Sequence, residues 1–191
     1  VCSPPLGSCA IDTDCCRGFC YENTCYSCFI AGTRIAMADG SSRNIEEVRE
    51  GDFVLGAKGQ ANRVIGIEQP LLGTSALYGF NSGRPFVTAE HPFLTEAGWK
   101  SIDPSATALE NAKLPVGRLA VGDRVLTLAR ARVLAFAGGL PANEPAEVTL
   151  APVKLARIER AKDDPRMPLF NLLLDGDHAY FADDWLAHNK G

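Results

Sequence analysis

The sequence predicts an all-β fold for most of the chain, on three observations. From Cys28 onward, short segments rich in Val, Ile, Leu and Phe alternate with turn residues such as Gly, Asp and Asn. Few segments show the roughly 3.6-residue period of an amphipathic helix. All seven cysteines lie within residues 2–28, so a small cysteine-rich segment precedes a long cysteine-free one. A chain of 191 residues has room for one ordinary domain and a small one.

The predicted elements follow one another closely after residue 28. Strands are predicted at residues 33–37, 53–55, 64–67, 85–87, 124–128, 153–158, 170–174 and 178–181. A tight turn is predicted at 38–40 and a single helical turn at 44–49. The alanine-rich residues 129–137 predict a short helix, and 138–145 predict a loop. Residues 129–147 therefore form a candidate insertion.

One internal similarity stands out. Residues 48–55 (VREGDFVL) resemble residues 119–126 (LAVGDRVL), and the aspartates of the two Gly-Asp pairs are 71 positions apart. A duplicated half-domain produces such a pattern, and so does a common Gly-Asp turn before a strand. Eight positions do not distinguish these origins.

The composition excludes several classes of partner. The net charge is -4 and no Lys/Arg cluster occurs, so we expect no nucleic-acid partner. No apolar run reaches the roughly 18 residues of a membrane span, so we expect no membrane partner. Because the chain begins at Val1 rather than Met, we expect a processed or excised fragment whose targeting segment lies outside it.

The cysteine-rich segment is too short to bury a core of its own. Disulfides typically supply about 2–4 kcal/mol each to such segments. The spacing C-x6-C-x5-C-C-x3-C-x4-C resembles that of the inhibitor cystine knot (knottin) family. It is formed by Cys2, Cys9, Cys15, Cys16, Cys20 and Cys25. The resemblance implies the pairs Cys2–Cys16, Cys9–Cys20 and Cys15–Cys25, and a secreted, oxidising location.

Two other interpretations of the cluster start from the C-x-x-C of Cys25 and Cys28. A zinc site usually needs a second such pair, and neither a second pair nor a nearby histidine occurs. A thioredoxin-like redox site is disfavoured because no strand–helix unit follows. A Cys25–Cys28 disulfide would remove both the knot and a free Cys28, so we expect redox-sensitive behaviour.

Cys28 and Asn189 can each carry self-directed chemistry. A cysteine thiol can attack the carbonyl that precedes it and convert the peptide bond to a thioester, with a histidine protonating the departing nitrogen. An asparagine side chain can attack its own backbone carbonyl, form a succinimide and expel the next residue. Taken alone, Cys28 is better explained as an inert buried cysteine. His188-Asn189 is likewise consistent with a solvated tail.

The motifs around these residues resemble those of the Hint family, the self-processing modules shared by inteins, bacterial intein-like domains and hedgehog C-terminal domains. They are CFIAGT at 28–33, TAEH at 88–91, FNL at 170–172 with HAYFA at 178–182, and WLAHN at 185–189. All three histidines of the chain, His91, His178 and His188, fall within these motifs. The closest similarity is to bacterial intein-like domains.

The resemblance implies a Hint/intein-type, horseshoe-like β-fold over residues 28–189, after a small disulfide-rich cystine-knot domain at 1–27 and before a flank at 190–191. It implies single-turnover, cysteine-dependent autoproteolysis at Ser27–Cys28 and at Asn189–Lys190, which releases the knot. The implied catalytic residues are Cys28, Thr88, His91, His178, His188 and Asn189. The substrate is the chain itself, a small thiol or water is the acceptor, and neither a metal nor an organic cofactor is needed.

Three departures from the family pattern bear on the reaction. Lys190 stands where a splicing intein has Cys, Ser or Thr, so we expect cleavage rather than protein splicing. Asn171 stands where many inteins have Asp, which affects the coordination of the two steps. The chain carries no sterol-recognition extension, so cholesterol transfer is not expected.

Two further outcomes stay open. The released knot is expected to be a secreted toxin or inhibitor with a protein target, for which the Hint domain serves as carrier. Alternatively, the Val1 amine captures the thioester and closes the peptide into a ring.

Overall fold

The computed structural model describes residues 19–21, 24–26, 28–132, 136–137, 140–141 and 145–189. At 19–21, 24–26, 136–137 and 140–141 the description is of the backbone alone. The predicted cystine knot lies outside the described residues, apart from a hairpin whose backbone places Cys20 opposite Cys25.

The all-β prediction is confirmed. The strands in chain order are β1 (Phe19–Tyr21), β2 (Thr24–Tyr26), β3 (Phe29–Ile30), β4 (Arg34–Ala36), β5 (Ser42–Asn44), β6 (Phe53–Leu55), β7 (Ala61–Glu68), β8 (Leu77–Phe80), β9 (Phe93–Thr95), β10 (Gly98–Ser101), β11 (Gly117–Arg118), β12 (Arg124–Arg132), β13 (Phe136–Ala137), β14 (Leu140–Pro141), β15 (Glu147–Lys154), β16 (Ile158–Ala161), β17 (Leu169–Leu174), β18 (Ala179–Ala182) and β19 (Trp185–His188). A 3₁₀ turn spans Ile45–Glu47, and helix α1 spans Pro104–Glu110.

Two sheets carry most of the described strands. The larger sheet has the order β11-β10-β9-β12-β19-β18-β4-β5, with β15 also paired to β12. The second sheet has the order β3-β17-β7-β6. The first strand after Cys28 thus pairs with β17, and the last strand, β19, lies inside the larger sheet. No helix among the described residues has the length and apolar character that crossing a bilayer requires.

Two predicted strands are wrong. At 85–87 only Val87 forms isolated bridges, to Phe29 and Tyr78; Pro85 has no N–H to donate to a ladder. The predicted strand 153–158 is two strands, β15 and β16, separated by three residues. Between them the Ala156 N–H donates to the side chain of Asn81 over 2.8 Å, which takes the chain out of the ladder.

The predicted helix at 129–137 is also wrong. Its first residues continue β12, where Ala131 pairs with Val148 and Arg132 with Glu147. Tertiary pairing therefore overrides the helix propensity of alanine. The predicted loop is wrong in part, because the backbones of β13 and β14 pair as a short hairpin. Residues 138–139 and 142–144 lie outside the described residues.

The sequence analysis missed helix α1. Its start carries a recognisable signal: Pro104 occupies the first turn, and the Asp103 carboxylate accepts a hydrogen bond from the Ala106 N–H at 3.2 Å. Seven residues are too few to show a helical period, so the signal was lost among turn residues.

The internal similarity extends to long-range contacts. The Gly51 N–H donates to the Val64 carbonyl at 2.8 Å, and the Val64 N–H donates to the carbonyl of Asp52 at 2.8 Å. In the second copy, Gly122 and Leu155 repeat both bonds at 2.7 and 2.8 Å. A shared local turn does not require matching distant partners, so the structure favours a duplicated unit.

The core that supports the site is centred on Phe29. This fully buried ring stacks on Phe86 at 5.8 Å and meets Phe93 and Tyr180 edge-on at 6.4 and 6.1 Å. Such aromatic pairs contribute about 0.5–1.5 kcal/mol each beyond area burial. Because Phe29 follows Cys28 directly, these aromatic contacts fix the position of the first residues of the domain.

Gly59 offers a direct test of the close backbone approach between the β6–β7 turn and Ala146, the residue before β15. It has a φ of +83°, and an added Cβ would lie 1.8 Å from the carbonyl oxygen of Ala146. Gly59→Ala should therefore lower the free energy of unfolding by about 3 kcal/mol or more, since a backbone clash adds to left-handed strain. Denaturant titration measures the change.

Gly98→Ala is the matched control. Its φ is +99° but nothing lies within 4 Å of the added Cβ, so only the cost of the backbone conformation applies, about 1–2 kcal/mol. Equal losses for the two variants would contradict the packing at Gly59.

Candidate active site

Thr88 is hydrogen-bonded to both the N–H and the carbonyl of Cys28. The Cys28 N–H donates to Thr88 Oγ1 at 2.8 Å, and the Thr88 N–H donates to the Cys28 carbonyl at 3.1 Å. Cys28 is fully buried and packs in a cluster with Leu72, Leu77 and Leu169. The nitrogen that Thr88 contacts is the amide nitrogen of the Ser27–Cys28 bond.

His91 lies against the neighbouring residue. It is 3% exposed, and its ring stacks on Phe29 with 4.2 Å between centroids. Residues 88–91 therefore supply both the hydrogen-bond partner of the Cys28 backbone and the imidazole that stacks on Phe29, the next residue.

Asn189 is held by backbone and side-chain bonds. Its N–H donates to the His178 carbonyl at 2.8 Å, and its Nδ2 donates to the Leu172 carbonyl at 2.9 Å. Asn189 is 2% exposed, so the solvated-tail interpretation is wrong for this residue. The side-chain amide is thereby tethered beside its own backbone carbonyl.

His188 contacts that same carbonyl. Its Nδ1 is hydrogen-bonded to the Asn189 carbonyl oxygen. A carbonyl only accepts, so Nδ1 carries the proton in this arrangement. Burial lowers the pKa of His188, and the nearby His178 lowers it further, against opposing effects of the Asn189 bond and of Asp177. At neutral pH the ring is therefore an uncharged donor aimed at the Asn189 carbonyl.

The β18–β19 hairpin brings the second histidine to this place. Its turn residues Asp183 and Asp184 have φ of 47° and 65°, the conformation of tight hairpin turns. The register runs to Ala179 opposite His188, so His178 lies next to Asn189. The two imidazole rings are 6.0 Å apart. His178 belongs to the predicted strand 178–181 but lies outside β18, because its φ is +58°.

The pairing of β3 with β17 joins the two groups of residues. Phe29 pairs with Phe170, so extending the register by one residue places Cys28 opposite Asn171. A small cleft is then lined by both His91 and Asn189. Its lining is His91, Pro92, Thr107, Glu110, Asn111, Asn171, His188 and Asn189.

Buried polar atoms without partners concentrate around this cleft. Among the described residues, those of Asn171 (Oδ1), His178 (Nδ1), Tyr180 (hydroxyl) and Asn189 (Oδ1) lack a hydrogen bond. Each such atom costs about 1–3 kcal/mol, so native proteins keep few of them. Their concentration here is typical of a site arranged for reaction.

Tyr180 was not singled out by the sequence analysis. Its side chain is fully buried, and burial together with the nearby Cys28 raises the pKa of its hydroxyl well above its ordinary value. An aromatic residue on a buried strand is indistinguishable from core packing in the sequence. Only its position in the HAYFA motif offered a signal.

Comparison with known proteins agrees with this arrangement. The Hom_end-associated Hint family matches residues 28–84, beginning at Cys28. The gp41-1 intein shares the fold with a TM-score of 0.55 at 20% identity, over 86% of this chain and 99% of that one. The bacterial intein-like domain from Clostridium thermocellum gives 0.55 at 21% identity, over 86% and 99%. The chain thus resembles the Hint family over residues 28–84 and shares the intein fold.

A further solved structure and two longer proteins are also similar to this chain. The Ssp DnaB mini-intein variant M86 has a TM-score of 0.55 at 16% identity, over 86% of this chain and 94% of that one. Iron-sulfur cluster assembly SufBD family proteins of Mycobacterium bovis and Mycobacterium tuberculosis are 34% identical over 109 residues, 49% of this chain. The chain spans 13% of the length of these relatives, so the match concerns a segment of much longer proteins.

The lowered pKa of His188 predicts how the stability of the folded domain depends on pH. The unfolded state binds more protons than the folded state between the folded pKa and the ordinary value of 6.5. Stability is therefore complete above that value and is lost as pH falls through the folded pKa. Denaturant titrations at several pH values between about 8 and 5 measure the loss.

His188→Gln is the comparison variant, because it keeps an amide hydrogen-bond donor without a titrating ring. We expect the difference in stability between wild type and variant to shrink or change sign as pH falls. A difference independent of pH would contradict the lowered pKa.

Tyr180→Phe tests the unpaired hydroxyl. Removing a buried polar group without a partner relieves its desolvation cost, so the variant should match or exceed the wild-type free energy of unfolding by about 1 kcal/mol. Thermal unfolding measures it. Marked destabilisation would mean that the hydroxyl is hydrogen-bonded in the folded protein.

Proposed function

We propose that this chain is a self-processing domain that cuts its own backbone at Ser27–Cys28 and at Asn189–Lys190. The observation that carries the proposal is the bond from His188 Nδ1 to the Asn189 carbonyl. That carbonyl is the electrophile of an asparagine cyclisation, and a donor aimed at it stabilises the negative charge that develops on its oxygen.

The C-terminal step needs no external reactant. Asn189 Nδ2 attacks the Asn189 carbonyl carbon, the new C–N bond closes a succinimide, and the bond to the Lys190 nitrogen breaks. One proton moves from Nδ2 to the departing amine. The tether from Nδ2 to the Leu172 carbonyl supports this step, because it holds the nucleophile near its target.

The N-terminal step is an isomerisation. Cys28 Sγ bonds to the Ser27 carbonyl carbon while the bond to the Cys28 nitrogen breaks, and the thiol proton is balanced by protonation of that nitrogen. The 2.8 Å contact from the Cys28 N–H to Thr88 supports a role for Thr88 in orienting the scissile amide. His91, stacked on Phe29, is the proposed proton donor. Water or a small thiol then cleaves the thioester.

The proposed outcome is cleavage rather than splicing. Splicing transfers the thioester to a hydroxyl or thiol after the terminal asparagine, and Lys190 has neither. Residues 1–27 are the proposed product. We propose further that this product is a cystine knot bearing the disulfides implied by its cysteine spacing, and that it acts outside the cell on a protein target.

An intact-mass time course tests the two cleavages separately. Dithiothreitol should release residues 1–27, and Cys28→Ala should stop that release because the nucleophile is gone. Loss of Lys190-Gly191 should stop in Asn189→Ala. It should slow by about a hundredfold or more in His188→Ala, which lacks the donor to the carbonyl.

Ser105→Ala is the control, since Ser105 is exposed on α1 and does not line the cleft. It should leave both time courses unchanged. A wild-type mass that stays constant with and without thiol would sink the proposed function.

A further inference from the structure

Asn171 makes one hydrogen bond that determines how its amide faces the cleft. Its Nδ2 donates to Glu68 Oε2 at 2.8 Å, across the β17–β7 ladder in which the two residues pair. A carboxylate only accepts, so the NH₂ group must face Glu68. The opposite atom, Oδ1, must then face away from Glu68.

That oxygen is the atom without a partner. Asn171 is 1% exposed, and its Oδ1 has no hydrogen bond among the described residues. Asn171 also lines the cleft together with His188 and Asn189. A buried acceptor that has no hydrogen bond within the described part of the chain is therefore held at the cleft.

Asn189 supplies a suitable donor. Its Nδ2 carries two hydrogens, and one bond is accounted for by the carbonyl of Leu172, the residue directly after Asn171. The nitrogen gains positive charge as it attacks the carbonyl carbon, so its second hydrogen becomes a stronger donor in the transition state than at rest. An acceptor placed beside Leu172 favours that state over the ground state.

We infer that Glu68 and Asn171 form a positioning pair for the C-terminal step: Glu68 fixes the amide of Asn171 so that Oδ1 accepts the second hydrogen of the attacking Asn189 nitrogen. This inference rests on the proposed function. It assigns Glu68 a role through Asn171, without contact between Glu68 and the reacting atoms.

Reversing the polarity at position 68 tests the pair. In Glu68→Lys the side chain only donates, so the Asn171 amide turns its oxygen toward Lys and presents NH₂ to the cleft. Loss of Lys190-Gly191 should slow about tenfold or more, the scale of a lost charge-assisted hydrogen bond. Thiol-induced release of residues 1–27, measured by intact mass in the same samples, should change less than about twofold.

The double variant Glu68→Lys with Asn171→Asp separates orientation from packing. An aspartate has two acceptor oxygens, so one can face Lys while the other faces the cleft. The rate of C-terminal cleavage should return to within about threefold of the wild-type rate. The remaining difference reflects the imperfect geometry of the substituted hydrogen bond. Glu147→Lys is the matched charge-reversal control, because Glu147 lies on β15 with its side chain 67% exposed.

Each outcome is decisive. A wild-type rate in Glu68→Lys overturns the positioning pair and leaves the proposed function standing. Equal slowing at both junctions, or no recovery in the double variant, assigns Glu68 to the stability of the fold and overturns the inference. A wild-type chain that never loses Lys190-Gly191 overturns the proposed function and this inference together.

Discussion

Two hydrogen bonds between the backbone of Cys28 and Thr88 tie the start of the β-rich region to the segment that carries His91. A similar backbone bond ties Asn189 to His178 at the other end. Each junction residue is thus held by the strand or loop that also supplies its histidine. These bonds fix the backbone of Cys28 relative to the segment of His91, and that of Asn189 relative to His178.

The site imposes a cost that the core must offset. Several buried polar atoms near the cleft have no partner among the described residues, and His178 adopts a left-handed backbone conformation. Both features cost free energy, by about 1–3 kcal/mol each. The aromatic cluster around Phe29 includes Tyr180, whose hydroxyl is one of these atoms, and packs against His91. Dense packing next to unsatisfied polar groups is the physical condition for a reactive arrangement that survives in a folded chain.

Much of the fold was predictable because strands after residue 28 are short, apolar and bounded by turn residues. The failures share one cause, since pairing partners distant in sequence decided the outcome. Residues 129–132 extend a strand because β15 lies beside them, although their composition favours a helix. The ladder breaks after Lys154 because a distant asparagine side chain captures the next backbone N–H groups. No local pattern encodes such partners.

The sequence alone determined which residue types can react and in what order they occur, because nucleophile, imidazole and amide chemistry belongs to the side chains. It also determined that Cys28 and Asn189 begin and end a region of strands. Only the tertiary structure decided which atoms meet: which nitrogen of His188 carries the proton, and which way the Asn171 amide faces. These choices depend on acceptors such as the Asn189 carbonyl and the Glu68 carboxylate, whose positions arise from strand register rather than from neighbouring residues.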